Sequence, residues 1–271
     1  FTFSNCKKTA PAHSIGADIS FVPQIEARGS SFYDGNGVKK DIFEILSDHH
    51  FDNIRLRIFV DPDAPNGYSK DGFCDLDNTV AMAKRIKAAG MKFTLDFHYS
   101  DTWADPGKQI IPEAWRGART IDDLANELRT YTLDVLESLR AAGALPDMVQ
   151  VGNEVTPGML IHVPTSTTDC WGNNSTVNTF LNGQANNTNW SNLARLLSTG
   201  LQAVKQVSAD IQTVLHIEST GRPADVEWWV DSALQNNLQF DVLAFSAYAA
   251  FQGPVSNWSN YFQRYAARYP N

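Results

Sequence analysis

The 271 residues are 43% apolar and 19% charged, with 17 Gly and 12 Pro, a balance that excludes intrinsic disorder and collagen-like repeats and leaves enough apolar chain for a sizeable core. Thirty acidic against 22 basic side chains give a net charge of −8, which opposes binding to phosphate backbones and anionic lipid, so neither nucleic acid nor a membrane is expected as a partner. No apolar run reaches the roughly 20 residues that span a bilayer, and the start, Phe1 to Cys6, lacks the charged and apolar regions of a signal peptide; a mature or processed soluble chain is expected.

Short β-rich segments alternate along the chain with segments of helical period. A weak strand is predicted at Gly16–Ser20 and a stronger one at Asn53–Val60 (NIRLRIFV). Val80, Ala83, Ile86 and Ala89 then trace an apolar stripe that stops at Gly90, the signature of a helix with a glycine cap. A strand follows at Lys92–Tyr99 (KFTLDFHY). A second stripe, Leu124, Leu128, Tyr131, Val135 and Leu139, ends at Gly143 and precedes a strand at Asp147–Glu154 (DMVQVGNE). Beyond it come a helix around Leu193–Val204, a strand at Thr213–Ser219 (TVLHIES), a helix at Ala224–Leu234, a strand at Asp241–Tyr248 (DVLAFSAY) and a helix at Trp258–Ala267.

Cys6, Cys74 and Cys170 lie far apart and form no C-x-x-C pair, so zinc and redox chemistry have no support; one disulfide with a free thiol is compatible with them. Five N-x-S/T sequons, at Asn173, Asn174, Asn186, Asn189 and Asn257, include four in one polar stretch. They point to a glycosylated, secreted and extracellular protein, against the alternative of chance matches in an Asn- and Thr-rich loop.

Strands and helices in strict alternation require a parallel sheet covered by helices. A doubly wound sheet has near-continuous apolar strands, whereas here one alternate set is apolar and the other polar. Arg55 and Arg57 oppose Ile54, Leu56 and Ile58; Asp96 and His98 oppose Phe97; Gln150 and Glu154 oppose Val149 and Val151; His216 and Glu218 oppose Leu215 and Ile217; Ser246 and Tyr248 oppose Phe245. Polar groups gathered at the C-terminal strand ends mark the active-site face of a (β/α)8 TIM barrel, and no glycine-rich phosphate loop argues for a nucleotide fold. We read the chain as one barrel domain over 1–271 in which six βα units are visible against the eight of a closed barrel. Either the count is short, or the last two units lie outside these residues, or the barrel is completed in another way. A monomer is expected.

Within this frame Asn153-Glu154, at the end of the fourth strand, is the sharpest chemical feature. A carboxyl that protonates a leaving-group oxygen needs a rigid position and a raised pKa, and a strand terminus beside an amide offers both. Arg55 and Arg57 share a face and must be paired with carboxylates, to hold a catalytic carboxylate ionised or as a structural ion pair. His98 is placed to meet a carboxylate or a substrate hydroxyl, and His216 and Glu218 to touch ligand or each other. No spacing is diagnostic of a metal, and neither metal nor cofactor is expected. Trp103, Trp115 and Phe251 follow strand ends, where aromatic faces suit pyranose rings, whereas Trp228 and Trp229 sit in a helical stretch and are expected to pack in the core.

The runs DFHYSDTWADPGKQ, VGNE and NIRLRIFV, together with AMAKRIKAAG, resemble glycoside hydrolase family 53, the arabinogalactan endo-β-1,4-galactanases of the clan A retaining glycosidases, from about Gly16 to the chain end. The resemblance implies endo-hydrolysis of the β-1,4-galactan side chains of pectin with retention by two glutamates. Glu154 would be the acid/base, and Asn153 would bind the sugar 2-hydroxyl. Arg55 would support the nucleophile, Arg57, His98 and Tyr248 would line the centre, and Asp101, Trp103 and Trp115 would belong to a sugar-binding third loop. The family nucleophile, a glutamate on a seventh strand in a V-V-E-T-like segment, has no counterpart in these residues. Glu218 is therefore considered both as a substrate contact and as a substitute, and a non-catalytic galactan binder is the alternative function. HIEST, where the family carries an aspartate, and AFSAYAAF, where it carries Tyr-Pro, depart from the pattern.

Overall fold

A computed structural model describes residues 13–165, 175–177, 183–186 and 189–270. Cys6, Cys170 and the sequon residues Asn173 and Asn174 lie outside them. Six parallel strands form one sheet: β1 (Gly16–Asp18), β2 (Asn53–Ile58), β3 (Lys92–Phe97), β4 (Met148–Val151), β5 (Gln212–Ile217) and β6 (Val242–Phe245). Their order in the sheet is their order in the chain, with Ala17 beside Ile54, Leu95 beside Leu56 and Val149, and Leu215 beside Leu243. Every crossover therefore steps to the next position with no reversal, which is barrel winding and not doubly wound topology.

Helices fill the crossovers: α1 (Val22–Ala27) and α2 (Ile42–Asp48) after β1, α3 (Leu76–Ala88) after β2, α4 (Ile121–Ala141) after β3, α5 (Trp190–Val207) after β4, α6 (Pro223–Gln235) after β5, and α7 (Ala249–Gln252) with α8 (Val255–Arg268) after β6. The Asp75 side chain accepts the Asn78 N–H at the start of α3, and Thr120 with Asp123 forms a reciprocal capping box on α4. Both glycine stops are left-handed, Gly90 at φ 71° and Gly143 at φ 67°. The residues after them donate back to Ile86 and Leu139, which closes each helix as a Schellman motif.

One face of each strand packs on the helices. Ile54, Ile58, Phe93, Leu95, Phe97, Val149, Val151, Leu215 and Ile217 are fully buried there and join Leu124, Leu128, Leu193 and Trp229 in a continuous core. The opposite residues point into the curl of the sheet. Trp229 is buried as expected, whereas its neighbour Trp228 is 41% exposed and meets Trp190 edge-on, so only one of the pair is a core residue.

Among the described residues β1 and β6 are hydrogen-bonded to the sheet on one side only. Beside β6 lies an apolar groove of about 640 Å³ lined by Leu234, Leu238, Phe240, Leu243, Phe245 and Phe262, among others.

Candidate active site

The polar strand faces meet in one hydrogen-bonded network. Asp18 at the end of β1 accepts Arg55 Nη1 at 2.8 Å and Arg57 Nη1 at 3.0 Å, and Asp96 on β3 accepts Arg55 Nη2 at 2.6 Å. Asp96 is wholly buried. Burial alone would raise its pKa, but the charge of Arg55 and the hydrogen bond from His98 outweigh it and hold the carboxyl below its ordinary value. His98 receives the Ala104 N–H on Nδ1 at 2.9 Å, so its proton sits on Nε2, 3.0 Å from Asp96. His98 is thus committed to a carboxylate. Arg57 stacks on Trp103 with its guanidinium carbon 4.2 Å from the ring centroid, and Phe59 and Tyr68 complete the aromatic wall around it.

Beyond Val151 the chain leaves the ladder in a tight turn, with Gly152 at φ 82° and Glu154 at φ 50°. A Cβ on Gly152 would come within 2.6 Å of Val155 Cγ1, so the turn requires glycine both for its conformation and for space. The turn is tied to its neighbours: Val155 N–H donates to His216 O at 2.9 Å, and Gln109 Nε2 donates to Asn153 O at 2.9 Å. Asn153 Nδ2 donates to Ala104 O at 2.8 Å, and Asn153 Oδ1 accepts Arg55 Nη2 and Gln150 Nε2, each at 3.2 Å.

Glu154 is held half-buried in this frame with Oε1 against Ser246 Oγ. Desolvation raises its pKa above its ordinary value, the charges of Glu218 and Asp105 add to the rise, and a Ser246 hydroxyl turned to donate to the carboxylate acts against it. Glu218 at the end of β5 accepts Arg222 Nη2 at 3.3 Å through Oε1, while its buried Oε2 has no hydrogen-bond partner among the described residues. His216 bridges Asn153 Oδ1 and Ser246 Oγ, each at 2.9 Å, and burial pushes its pKa down to about 4. At neutral pH the imidazole is uncharged.

The structure therefore brings together Arg55, Arg57, His98, Trp103, Asn153, Glu154 and Glu218. Tyr248 stands after β6, 63% exposed and close enough to Arg55 to couple with it electrostatically, and Phe251 meets it edge-on. Two expected sugar contacts are placed otherwise. Trp115 is 4% exposed and packs between Tyr99 and Tyr131, with no ring face left for a ligand. Asp101 is buried with its two oxygens on the Asp61 and Glu113 N–H groups, so it fastens two loops together, and desolvation pushes its pKa up to about 6. Among functional groups that sequence reasoning left without a role, Asp18, Gln150 and Ser246 are central. Their inward place in the strand alternation was the available signal for the last two; the three-residue β1 is too short to carry one for Asp18.

Parallel strands in sequential order, with their polar ends converging on one half-buried glutamate, define a (β/α)8-barrel protein with its site at the C-terminal face. The chain belongs to glycosyl hydrolase family 53, whose profile matches residues 14–271. It is 35% identical to the arabinogalactan endo-β-1,4-galactanase of Cellvibrio japonicus over 91% of this chain and 58% of that protein. It is 31% identical to the endo-β-1,4-galactanase of Bacillus subtilis over 94% of this chain and 53% of that protein. The solved GH53 catalytic domain of Ignisphaera aggregans superposes with a TM-score of 0.80 at 32% identity, covering 94% of this chain and 65% of that one. The chain spans less than two thirds of the length of each of these relatives.

Proposed function

We propose that the protein is a secreted endo-acting hydrolase of β-1,4-galactan in which Glu154 is the acid/base of a retaining mechanism. The observation that carries this reading is Glu154 itself: a carboxyl fixed by a left-handed turn, half withdrawn from water, and kept protonated above its ordinary range by burial and two neighbouring carboxylates. Such a group can deliver a proton to a glycosidic oxygen. Asn153 keeps one Nδ2 proton beyond the one that it gives to Ala104, available for a sugar hydroxyl. Trp103 and the exposed Tyr248 offer aromatic surface beside it. Retention also calls for a nucleophilic carboxylate about 5 to 5.5 Å from the acid. By resemblance that group is expected on a seventh strand, with Glu154 as the acid/base half of the pair.

The test is release of reducing ends from β-1,4-galactan. Glu154→Gln is expected to lower kcat on substrates with poor leaving groups by about 10²- to 10⁴-fold while ligand binding persists. The alkaline limb of the kcat/KM profile, set by Glu154, should vanish with it. Undiminished hydrolysis by Glu154→Gln would reject the assignment, and galactan binding by the parent protein without any release of reducing ends would replace it with the non-catalytic reading. For secretion, Asn257 lies exposed on α8. A mass decrease on treatment with an N-glycosidase is the expected result.

A further inference from the structure

Behind Glu154 stand two groups that the proposed reaction leaves unused, and their hydrogen bonds admit few proton placements. Asn153 Nδ2 faces the Ala104 carbonyl, and Asn153 Oδ1 faces Arg55 Nη2. A guanidinium cannot accept, so the amide orientation is determined and Oδ1 is an acceptor. His216 Nδ1, 2.9 Å from the same oxygen, must carry a proton. Across the ring, Nε2 lies 2.9 Å from Ser246 Oγ, whose other neighbour is Glu154 Oε1. A neutral imidazole protonated on Nδ1 offers only a lone pair at Nε2, and a serine hydroxyl has one proton to give. Ser246 can satisfy the ring or an ionised Glu154, not both. With the ring neutral, every partner is satisfied only when Glu154 Oε1 bears a proton and donates it to Ser246, which donates in turn to His216.

We propose that Asn153, His216 and Ser246 form a positioning chain that holds the acid proton on Glu154. The proposal rests on Glu154 being the proton donor. The chain acts in its charged surroundings. Burial, Glu218 and Asp105 favour the protonated form of Glu154, and a Ser246 hydroxyl turned to donate to it favours the ionised form. Asp96 faces His216 and favours a charged ring, while burial above all, and the charge of Arg55, keep it neutral. When Glu154 gives up its proton, Ser246 must abandon His216 to serve the carboxylate, so the ionised state carries an unmet acceptor that the protonated state lacks.

The first test needs no variant: nitrogen-15 NMR of the ligand-free protein at neutral pH. His216 is expected to show a protonated Nδ1 and an unprotonated Nε2. A ring protonated on Nε2 overturns the proposal, because Ser246 then has its proton free for an ionised Glu154. The second test follows the Glu154 carboxyl carbon, assigned by its loss in Glu154→Gln, through a pH titration. His216→Phe removes the competing acceptor, and the acid dissociation constant of Glu154 is expected to increase by about tenfold. In a Ser246→Ala background the same change should leave it nearly constant, which a merely structural role of His216 would not produce. An unaltered titration midpoint in His216→Phe overturns the proposal, and if that variant does not fold the tautomer alone decides. Neither readout involves hydrolysis, so the proton chain can fail while galactan cleavage stands, and the reverse.

Discussion

Trp103 and Trp115 follow the same strand and have opposite surroundings. Trp115 is enclosed by Tyr99 and Tyr131, and Trp103 leans on Arg57 at the mouth of the site. Removing the enclosed ring leaves a large void, so Trp115→Ala is expected to cost about 3 to 5 kcal/mol in urea unfolding without altering the oligosaccharide binding proposed for the site. Trp103→Ala should do the reverse, weakening oligosaccharide binding by about tenfold in calorimetry at smaller cost to stability. Equal effects of the two variants on binding would show that the division is wrong. Sequence reasoning did not separate them because loop residues carry no periodicity to say which side is covered. Residues on strands were legible for the converse reason. The alternation placed Arg55, Arg57, Asp96 and His98 on one face, and the structure puts them in one network. Ser246 shared that face, but its contact with Glu154 joins strands that are not neighbours in the sheet, and no local pattern encodes such a meeting.

At the scale of elements, the packing of α5 on β4 decides how firmly the Gly152–Glu154 turn is held. Gly200 sits inside α5, where alanine ordinarily favours a helix by about 1 kcal/mol. A Cβ there would approach Val151 Cγ1 to 2.6 Å, and Val151 is a fully buried, branched side chain on the strand that bears the turn. Gly200→Ala is therefore expected to destabilise by about 1 to 3 kcal/mol in thermal or urea unfolding, opposite in sign to helix propensity. A stabilised variant would contradict the close approach. The glycine stops of α3 and α4 were readable because a stripe ending at a left-handed residue is a local signal. The short helices α1 and α2 were not foreseen, since six or seven residues hold less than two turns of any period. Several strands end earlier than expected, β4 at Val151 and not Glu154 and β6 at Phe245 and not Tyr248, because their last residues leave the ladder to build the site.

For the whole molecule, burial of a neutral histidine links stability to pH. His216 titrates near 4 when folded against an ordinary 6.5. Between those values the unfolded chain binds the extra proton, so stability rises with pH across the window and is lost as pH falls from 6.5 towards 4, by at most about 3 kcal/mol. Urea unfolding across this range should show that slope in the parent protein and a flatter one in His216→Phe; parallel curves would mean that the ring is charged in the fold. Barrel winding as a whole was readable from strands that alternate apolar and polar residues, but the apolar groove beside β6 was not, because its lining comes from α6, β6 and α8 together. The sequential order of the strands has one more consequence, which concerns assembly in time. A chain docking its units in order, β1 first, completes the ion-pair cluster of Asp18, Arg55 and Asp96 as soon as β3 is in place. Glu154 arrives with the turn after β4 but meets its hydroxyl partner only when β6 delivers Ser246, so the electrostatic scaffold precedes the hydrogen bond that it surrounds, and a nascent barrel stopped short of β6 would hold Glu154 near Glu218 and Asp105 without its serine.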